Sequence, residues 1–287
     1  MTADSPPVNE AAANPAAFFL PQGADRYAPT VATQGPWDPG TMHGGPVAAL
    51  LATILTREAG SLSSTLRLAR LACDFLGPLP IAELEIAVTV PRPGRRVALL
   101  EASLAAGGRT AAVGRGWFID TSAAGDDPPV NHGRSPHAPG ELPPLTTPPP
   151  LPDSQPQRFF IGLDGFGYGQ ASEWRFTSGG FDQAGPAGVW CRPRLPLIAG
   201  EPLTGLARML IVADAANGVS GELSFGTWML IPPAFTVTIL REPVGEWVHL
   251  AARTTLGADS IGLCHGRLAD PHGPVGVVSQ PLLISRV

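Results

Sequence analysis

Two short stretches of the chain combine residue types that could do chemistry. In the first, "GTMHGGPVAALLATILTREAG", His43, Gly44 and Gly45 stand just before an apolar run with the length of a helix. Free backbone N–H groups at the start of a helix form a positive site for an oxygen atom. Glycines at that place also let a helix pack closely against a sheet, because no Cβ intervenes. The stretch therefore predicts a helix start that packs closely and that could stabilise a developing oxyanion.

The second stretch, "LARMLIVADAANGVS", places Asp214 in the middle of an apolar helical run. A carboxylate in such surroundings is rarely buried without a partner. The partner could be the helix end or an arginine such as Arg208 or Arg241, in which case the role of Asp214 is structural. A carboxylate held by an amide can instead orient a water molecule and accept its proton. Both roles are open at this point.

The composition excludes several classes of protein. The chain has 287 residues, of which 44% are hydrophobic, so it has enough apolar material for a sizeable core. The net charge is −5, and all 19 basic residues are arginines scattered along the chain, so no nucleic-acid partner is expected. No apolar run reaches the roughly 18 residues of a membrane span. The first residues lack the basic start and apolar core of a signal peptide.

Cysteine usage indicates a reducing compartment. Cys73, Cys191 and Cys264 lie far apart in apolar stretches. An odd number of widely spaced cysteines argues for reduced thiols in the core rather than for disulfides. The histidines of the second half show no spacing typical of a zinc site. We therefore predict a soluble cytoplasmic protein with no membrane partner, no metal ion and no other cofactor.

A long segment without apolar periodicity divides the chain. Proline, glycine, aspartate and serine dominate residues 121–157, which predicts an extended, stiff linker. The linker separates a first module at 18–120 from a second module at 158–287. Residues 1–17 are expected to form a flexible tail.

The two modules resemble each other. Each has one helical run, at 46–59 and 203–216, followed by strands of alternating character. A shift of about 164 positions matches Leu76 with Leu240 and superimposes the closing strands. Short turns between consecutive strands indicate antiparallel pairing, and the single helix must cover one face of each sheet. The predicted fold class is α+β, with two tandem modules that each wrap an antiparallel sheet around one central helix. The predicted strands cover residues 82–90, 95–106, 109–119, 246–256, 261–269 and 274–284.

Several motifs, in the right order, resemble the thioesterase-like superfamily related to acyl-CoA thioesterase II. "GPWDPGTMHGGPVAALLA" is similar to the start of the first helix in that superfamily, and "DFLGPLPIAELEIAVTV" is similar to the strand that follows. "LARMLIVADAANGVS", "LREPVGEW" and "VVSQPLLI" are similar to parts of its second module. The resemblance covers the chain from Asp25 to the end, apart from the linker. It implies a double hotdog fold and the hydrolysis of an acyl thioester.

The resemblance also implies a set of site residues. In the resembling enzymes an Asp, a Thr or Ser, and a Gln together bind and activate the water that attacks the thioester. Carried onto this chain, the Asp is Asp214 and the Gln is Gln280, while the hydroxyl position falls at or near Pro232, which has no hydroxyl. One site is expected, built across the two modules. The residues expected to bind substrate are His43, Gly44, Gly45 and Thr236.

Three functions follow from these patterns. The leading one is a thioesterase that hydrolyses an acyl-CoA or acyl-carrier thioester with water directed by Asp214 and Gln280. The second is a hotdog protein that binds an acyl or polyketide-like ligand without hydrolysing it, which the proline at position 232 favours. A different reaction on the same scaffold ranks last, because the acid and histidine pairing expected of a hotdog hydratase is absent. The resemblance further implies a homodimer or a higher oligomer.

Overall fold

One antiparallel sheet runs through both halves of the chain. The computed structural model describes residues 15–122, 147–163 and 165–287. These residues contain thirteen strands that belong to a single sheet. The strands are β1 (Phe19–Pro21), β2 (Arg26–Pro29), β3 (Leu66–Phe75), β4 (Leu84–Arg92), β5 (Val97–Ala106), β6 (Arg109–Asp120), β7 (Ser172–Gly180), β8 (Gln183–Pro193), β9 (Trp228–Ile231), β10 (Ala234–Ile239), β11 (Val248–Leu256), β12 (Ile261–Asp270) and β13 (Gly273–Arg286).

The two halves join at the middle of this sheet. The strand order is β1-β2-β4-β5-β6-β3-β10-β13-β12-β11-β8-β7, and β9 pairs with the end of β13. The join is the antiparallel pair of β3 and β10, from Asp74 opposite Ala234 to Arg70 opposite Thr238. All six strands predicted from alternation and turns are present, with ends within two residues of the prediction. The predicted α+β double hotdog architecture is confirmed.

The helices lie on the inner side of the sheet. They are α1 (Gly44–Leu62), α2 (Gly167–Gln170), α3 (Gly205–Ala213) and α4 (Ala216–Val219). Helices α1 and α3 pack against each other across the join between the halves. The buried face of α1 is made of small and branched apolar side chains, including Val47, Leu51 and Leu55. Burial of this face supplies most of the driving force that holds α1 against its half of the sheet.

The first predicted helix is confirmed and is slightly longer than predicted. It begins after His43, whose Nδ1 accepts the N–H of Gly45 at 3.2 Å. This bond satisfies one of the N–H groups that a helix start leaves without a partner. The helix ends at Leu62, where the N–H of Ser63 reaches the carbonyl of Ala59.

The second predicted helix is interrupted at Asp214, so the expectation of one continuous helix over 203–216 is wrong. Helix α3 ends at Ala213, and Asp214 is its C-cap. The N–H of Asn217 bonds to the side-chain oxygen Oε1 of Gln280 at 3.1 Å instead of extending the helical ladder. The helix therefore ends because of a side chain on strand β13. A sequence pattern within one segment cannot reveal a partner so far away in the chain.

The described part of the linker follows the outer edge of the sheet. The side-chain amides of Gln155 and Gln157 each bond to both the N–H and the carbonyl of a residue on β7, Phe176 and Trp174 respectively. The glutamines therefore act as a partial extra strand and satisfy the polar edge of the sheet. The remaining linker residues, 123–146, lie outside the described residues.

The packed part of the chain includes the end of the predicted tail. Residues 1–14 lie outside the described residues, but Ala17 is fully buried. Phe18 is also buried, and its N–H bonds to the carbonyl of Pro196 in the second half. The module boundaries otherwise stay predictions. Across the described parts of the chain, no helix combines the length and apolar character needed to span a membrane.

Candidate active site

A cavity of about 470 Å³ opens where the start of α1 meets the end of α3, and we call it the Asp214 cavity. Its volume is within the range of small-molecule sites in proteins. Because α1 belongs to the first half and α3 to the second, both halves supply walls. The wall residues include His43, Gly44, Phe75, Asp214, Pro232 and Pro233.

His43 and Asp214 are in contact across the two halves. Nδ1 of His43 lies 3.1 Å from Oδ2 of Asp214. The imidazole stacks on the ring of Tyr168, with 3.8 Å between centroids and an angle of 11° between planes. The phenol of Tyr168 is itself fixed, since its hydroxyl donates to the carbonyl of Ile211 at 2.8 Å. This stack and the contact with the N–H of Gly45 hold the imidazole in one orientation.

Gln280 holds the other oxygen of the same carboxyl. Its Nε2 donates to Oδ1 of Asp214 at 3.0 Å. Its Oε1 accepts the N–H of Asn217, so both ends of the amide are engaged and its orientation is determined. The side-chain amide of Asn217 donates to the carbonyl of Leu230 on β9, which ties this edge of the cavity to the same network. Gln280 is fully buried.

The surroundings of Asp214 hold its carboxyl near the midpoint of its titration at neutral pH. Burial raises the pKa of Asp214 to about 7, although the hydrogen bond from Gln280 and the backbone N–H groups of Gly45 and Gly44 oppose the shift. Burial also lowers the pKa of His43 to about 3. Below pH 7 the pair is therefore neutral, and above pH 7 it carries one negative charge. A buried carboxyl with this pKa can accept a proton from water and return it near neutral pH.

The two glycines of α1 allow the close approach that builds the site. A Cβ on Gly44 would lie 2.4 Å from Cζ of Phe75 and 2.8 Å from Oδ2 of Asp214. A Cβ on Gly45 would lie 2.5 Å from the carbonyl oxygen of Ile211. These distances are below van der Waals contact. A side chain at Gly44 would displace the ring of Phe75 and the carboxyl of Asp214, and Gly45 has no room for one because its neighbour is backbone. The predicted close packing of the helix start is confirmed. Gly44 lines the cavity, whereas Gly45 lies behind it against α3.

Thr236 is not brought to this site. It lies on β10 between Phe235 and Val237, which are both buried against the core. Successive side chains of a strand point to opposite faces, so Thr236 points away from the cavity. It pairs with Ser279, the outward neighbour of Gln280. The assignment of Thr236 to substrate binding is therefore corrected.

Of the structural partners expected for Asp214, the helix end is present and the arginines are not, because its carboxyl bonds to the N–H groups of Gly44 and Gly45 at the start of α1. Arg241 pairs with both carboxylate oxygens of Asp270, and Arg208 donates to the carbonyls of Gly245 and Leu203. Neither arginine bonds to Asp214. Pro232 lines the cavity, as the resemblance placed it, and supplies no hydroxyl.

Two residues of the site were missed by sequence analysis. Asn217 follows Asp214 by three positions, and this spacing could have placed both on one side of a helical turn. Tyr168 lies in "GFGYG", which composition alone predicts to be a flexible loop. That prediction is wrong, because Tyr168 is 1% exposed and Gly167 packs against the carbonyl of Val31. No local signal in that segment indicated a partner for His43.

Comparisons with protein families identify the chain over both halves. Residues 33–119 match the model of the acyl-CoA thioesterase N-terminal domain, and residues 139–284 match that of the acyl-CoA thioesterase C-terminal domain. The chain belongs to the acyl-CoA thioesterase family. The match supports a thioester hydrolase, as the resemblance of the motifs implied. A search of curated proteins found no match to the chain.

Solved structures of similar fold include members of this family. A hot dog fold protein from Alicyclobacillus acidocaldarius has a TM-score of 0.65 at 16% identity, covering 97% of this chain and 99% of its own. The TesB protein of Mycobacterium avium subspecies paratuberculosis has a TM-score of 0.61 at 15% identity, covering 93% and 96%. The acyl-CoA thioesterase II TesB2 of Mycobacterium marinum has a TM-score of 0.57 at 14% identity, covering 90% and 96%. At these identities the likeness establishes the shared fold alone.

Proposed function

We propose that this protein hydrolyses acyl-CoA thioesters with a water molecule activated by Asp214, whose carboxyl Gln280 holds in place. The observation that carries the proposal is the buried carboxyl of Asp214 at the wall of a cavity, held by Nε2 of Gln280 and facing the start of α1. A pKa of about 7 lets this carboxyl act as a base in its ionised form and as an acid once protonated.

The reaction proceeds in two steps. Ionised Asp214 accepts a proton from water as the water oxygen bonds to the thioester carbonyl carbon. The carbonyl oxygen becomes negative and is stabilised by the dipole of α1, whose first residue Gly44 lines the cavity, while the N–H groups of Gly44 and Gly45 bond to Asp214. The C–S bond then breaks, and the sulfur takes the proton back from Asp214. The products are the carboxylic acid and the free thiol.

His43 is the polar side chain of the cavity wall that lies beside the carboxyl of Asp214. Pro232 has no hydroxyl, whereas Nδ1 of His43 lies 3.1 Å from the carboxyl of Asp214. We assign His43 a positioning role, because its Nδ1 accepts the N–H of Gly45 and so fixes the helix start against which the carboxyl of Asp214 lies. The low pKa of His43 keeps it neutral in the working pH range, so it does not neutralise the base as a salt bridge would.

Thiol release tests the proposal. Purified protein is incubated with acyl-CoAs of increasing chain length, and free thiol is measured with a disulfide reagent. The three cysteines of the chain are buried, so their contribution to the signal is small. We expect release by the natural protein and loss of about two to four orders of magnitude in kcat for Asp214→Asn. Asp74→Asn is the matched control, since Asp74 is an exposed carboxylate one residue from Phe75 and on the opposite face of β3. Equal activity of the Asp214→Asn variant would remove Asp214 from the mechanism.

A second function is favoured by one observation, the two prolines at positions 232 and 233 in the cavity wall. A protein without the hydroxyl residue could bind an acyl or polyketide-like group and leave it intact. In that case acyl-CoA would raise the melting temperature of the protein while no thiol appears. Acyl-carrier thioesters belong in the same assay, because the sequence leaves open whether coenzyme A or a carrier protein is the leaving group.

A further inference from the structure

A second cavity lies across strand β9 from the Asp214 cavity. It has a volume of about 340 Å³, and we call it the aromatic cavity. Trp228 and Leu230 of β9 line it, whereas Met229 and Ile231 of the same strand line the Asp214 cavity. This alternation follows from the two-residue period of a strand. The aromatic cavity is therefore a second space with the volume of a small-molecule site, and the proposed hydrolysis does not use it.

Five aromatic side chains line the aromatic cavity, namely Trp37, Phe160, Phe181, Phe225 and Trp228. Phe160 stacks on Phe225 with 4.5 Å between ring centroids, and the ring of Trp37 lies 4.8 Å from that of Phe225. Trp37 remains 38% exposed, so part of its indole surface is accessible. The face of an aromatic ring is electron-rich and attracts cations, most strongly in tryptophan.

The charged residues of this lining are all acidic. Asp182 and Glu222 line the cavity, and none of the described residues in the lining is basic. Arg158 lies 3.9 Å from Asp182, and Arg286 lies over the ring of Trp228 at 5.0 Å from its centroid, but both arginines are outside the lining. The contact of Arg286 shows that the indole of Trp228 accepts a cation on its ring.

Glu222 is the carboxylate of this cavity that lacks a counter-charge. It is half-buried, and within the described parts of the chain it forms neither a hydrogen bond nor an ion pair. A carboxylate beside apolar rings without a partner is unfavourable, because it has lost part of its hydration. A cation bound in the cavity would offset this cost and contact the ring surfaces at the same time.

The same walls disfavour other classes of ligand. Phosphates and carboxylates would be repelled by Glu222 and Asp182. A neutral hydrocarbon would leave Glu222 against an apolar surface without a partner. A divalent metal ion needs about six oxygen ligands, which walls made largely of aromatic rings do not supply. An organic cation with an apolar surface satisfies both the rings and the carboxylate.

We infer that the aromatic cavity binds a small organic cation, with an alkylated ammonium group against the aromatic rings and Glu222 as its counter-charge. This site is distinct from the proposed catalytic carboxyl, and its test requires no thioester hydrolysis. Failure of the proposed function therefore leaves the inference open to its own test, and the reverse also holds.

A pair of ligands that differ only in charge tests the inference. Choline carries a quaternary ammonium group, and 3,3-dimethylbutan-1-ol has the same shape with a carbon atom in place of the nitrogen. Calorimetric titration of the natural protein should show choline bound at least about tenfold more tightly than the alcohol. Equal affinities, or no binding of choline at about 10 mM, would overturn the inference.

Two variants locate the binding in this cavity. Glu222→Gln removes the charge and keeps the size, so it should weaken choline binding by about fivefold to tenfold and change binding of the alcohol by less than about twofold. Phe225→Leu keeps an apolar wall but removes the ring, so it should also weaken choline more than the alcohol. Glu242→Gln, at an exposed carboxylate outside the cavity, is the matched control. Melting temperatures verify that each variant is folded. Choline affinity that is unchanged in Glu222→Gln, or lowered equally in Glu242→Gln, would refute the assignment to this cavity.

Discussion

Nδ1 of His43 lies 3.1 Å from Oδ2 of Asp214, so a residue before the first central helix contacts a residue after the second. Neither residue is near the other in the chain, and residues of the second half hold both side chains, since Tyr168 stacks on His43 and Gln280 bonds to Asp214. The contact makes one site out of two modules. It also explains why the second module carries the carboxyl while the first supplies the helix start that faces it.

The rate of hydrolysis should depend on pH through Asp214. The base must be ionised, and burial raises its pKa to about 7, so kcat/KM should increase about tenfold per pH unit below 7 and level off above it. Initial rates between pH 5 and 9 give this profile. A rate that stays constant between pH 5 and 7 would contradict the assignment of Asp214 as the base.

The raised pKa of Asp214 also predicts how the stability of the protein depends on pH. A carboxyl whose pKa rises on folding binds its proton more tightly in the folded state, so the free energy of unfolding falls as pH rises from about 4 to about 7. Asp214→Asn has a similar shape and no such titration. Its stability relative to the natural protein should therefore increase over this pH range, as measured by urea denaturation at each pH. A constant difference between the two proteins would mean that Asp214 does not titrate there.

Replacement of Gln280 should move the pH profile as well as lower the rate. Gln280→Leu removes the hydrogen bond that lowers the pKa of Asp214, so the midpoint of the kcat/KM profile should shift above 7. We expect a loss of about tenfold to a hundredfold in kcat at pH 7. Ser279→Ala, at the adjacent outward position of β13, is the control. A lower rate with an unchanged midpoint would indicate a structural role only.

Two substitutions at His43 separate its stacking on Tyr168 from its polar contacts with Gly45 and Asp214. His43→Phe keeps an aromatic ring on Tyr168 but has no atom that can bond to Asp214. His43→Asn loses the stack but keeps a polar side chain, and asparagine is a good N-cap. If His43 positions Asp214, kcat should fall by about tenfold or more in His43→Phe and less in His43→Asn. A larger fall in kcat for His43→Asn than for His43→Phe would show that the stack on Tyr168 determines the position of Asp214.

The close packing of α1 against α3 should be sensitive to one added methyl group. In Gly45→Ala the new Cβ would lie 2.5 Å from a backbone oxygen of α3, which cannot move aside as a side chain could. We expect a loss of about 1–3 kcal/mol in the free energy of unfolding. Gly60→Ala, an exposed position of the same helix with open space around it, should be stabilising by about 0.5–1 kcal/mol. Denaturant midpoints measure both, and equal stability of the two variants would contradict the predicted contact.

Much of the fold follows from local patterns. Alternating residues and short turns are enough to place β4, β5, β6, β11, β12 and β13, because side chains of a half-buried strand must alternate between core and solvent. The helix after His43 follows from its apolar run and its glycines. The interruption of the second helix at Asp214 does not, because it depends on the side chain of Gln280, which is 66 positions away.

The candidate site likewise contains residues that the sequence identified and residues that only the structure revealed. Asp214, Gln280, His43 and Gly44 were selected from the sequence, partly through the family resemblance. The structure brings Asp214, His43 and Gly44 to one cavity, and Gln280 bonds to Asp214 without lining that cavity. Thr236 was selected by its closeness in the chain to the expected hydroxyl position, and the alternation of β10 turns it away. Tyr168 was not selected, because its role depends only on a stack with a ring that lies 125 positions earlier.

The sequence by itself determined the class of fold, the duplication and the residue types available for chemistry, because hydrophobic period, glycine placement and motif order are local properties of the chain. Only the tertiary structure decided which of those residues meet. The contact of His43 with Asp214, the ionisation of Asp214 near pH 7 and the two adjoining cavities arise from burial and from distances between segments far apart in the chain. Burial makes the ionised form of the Asp214 carboxyl unfavourable and so raises its pKa, and this burial exists only once the two halves have packed together.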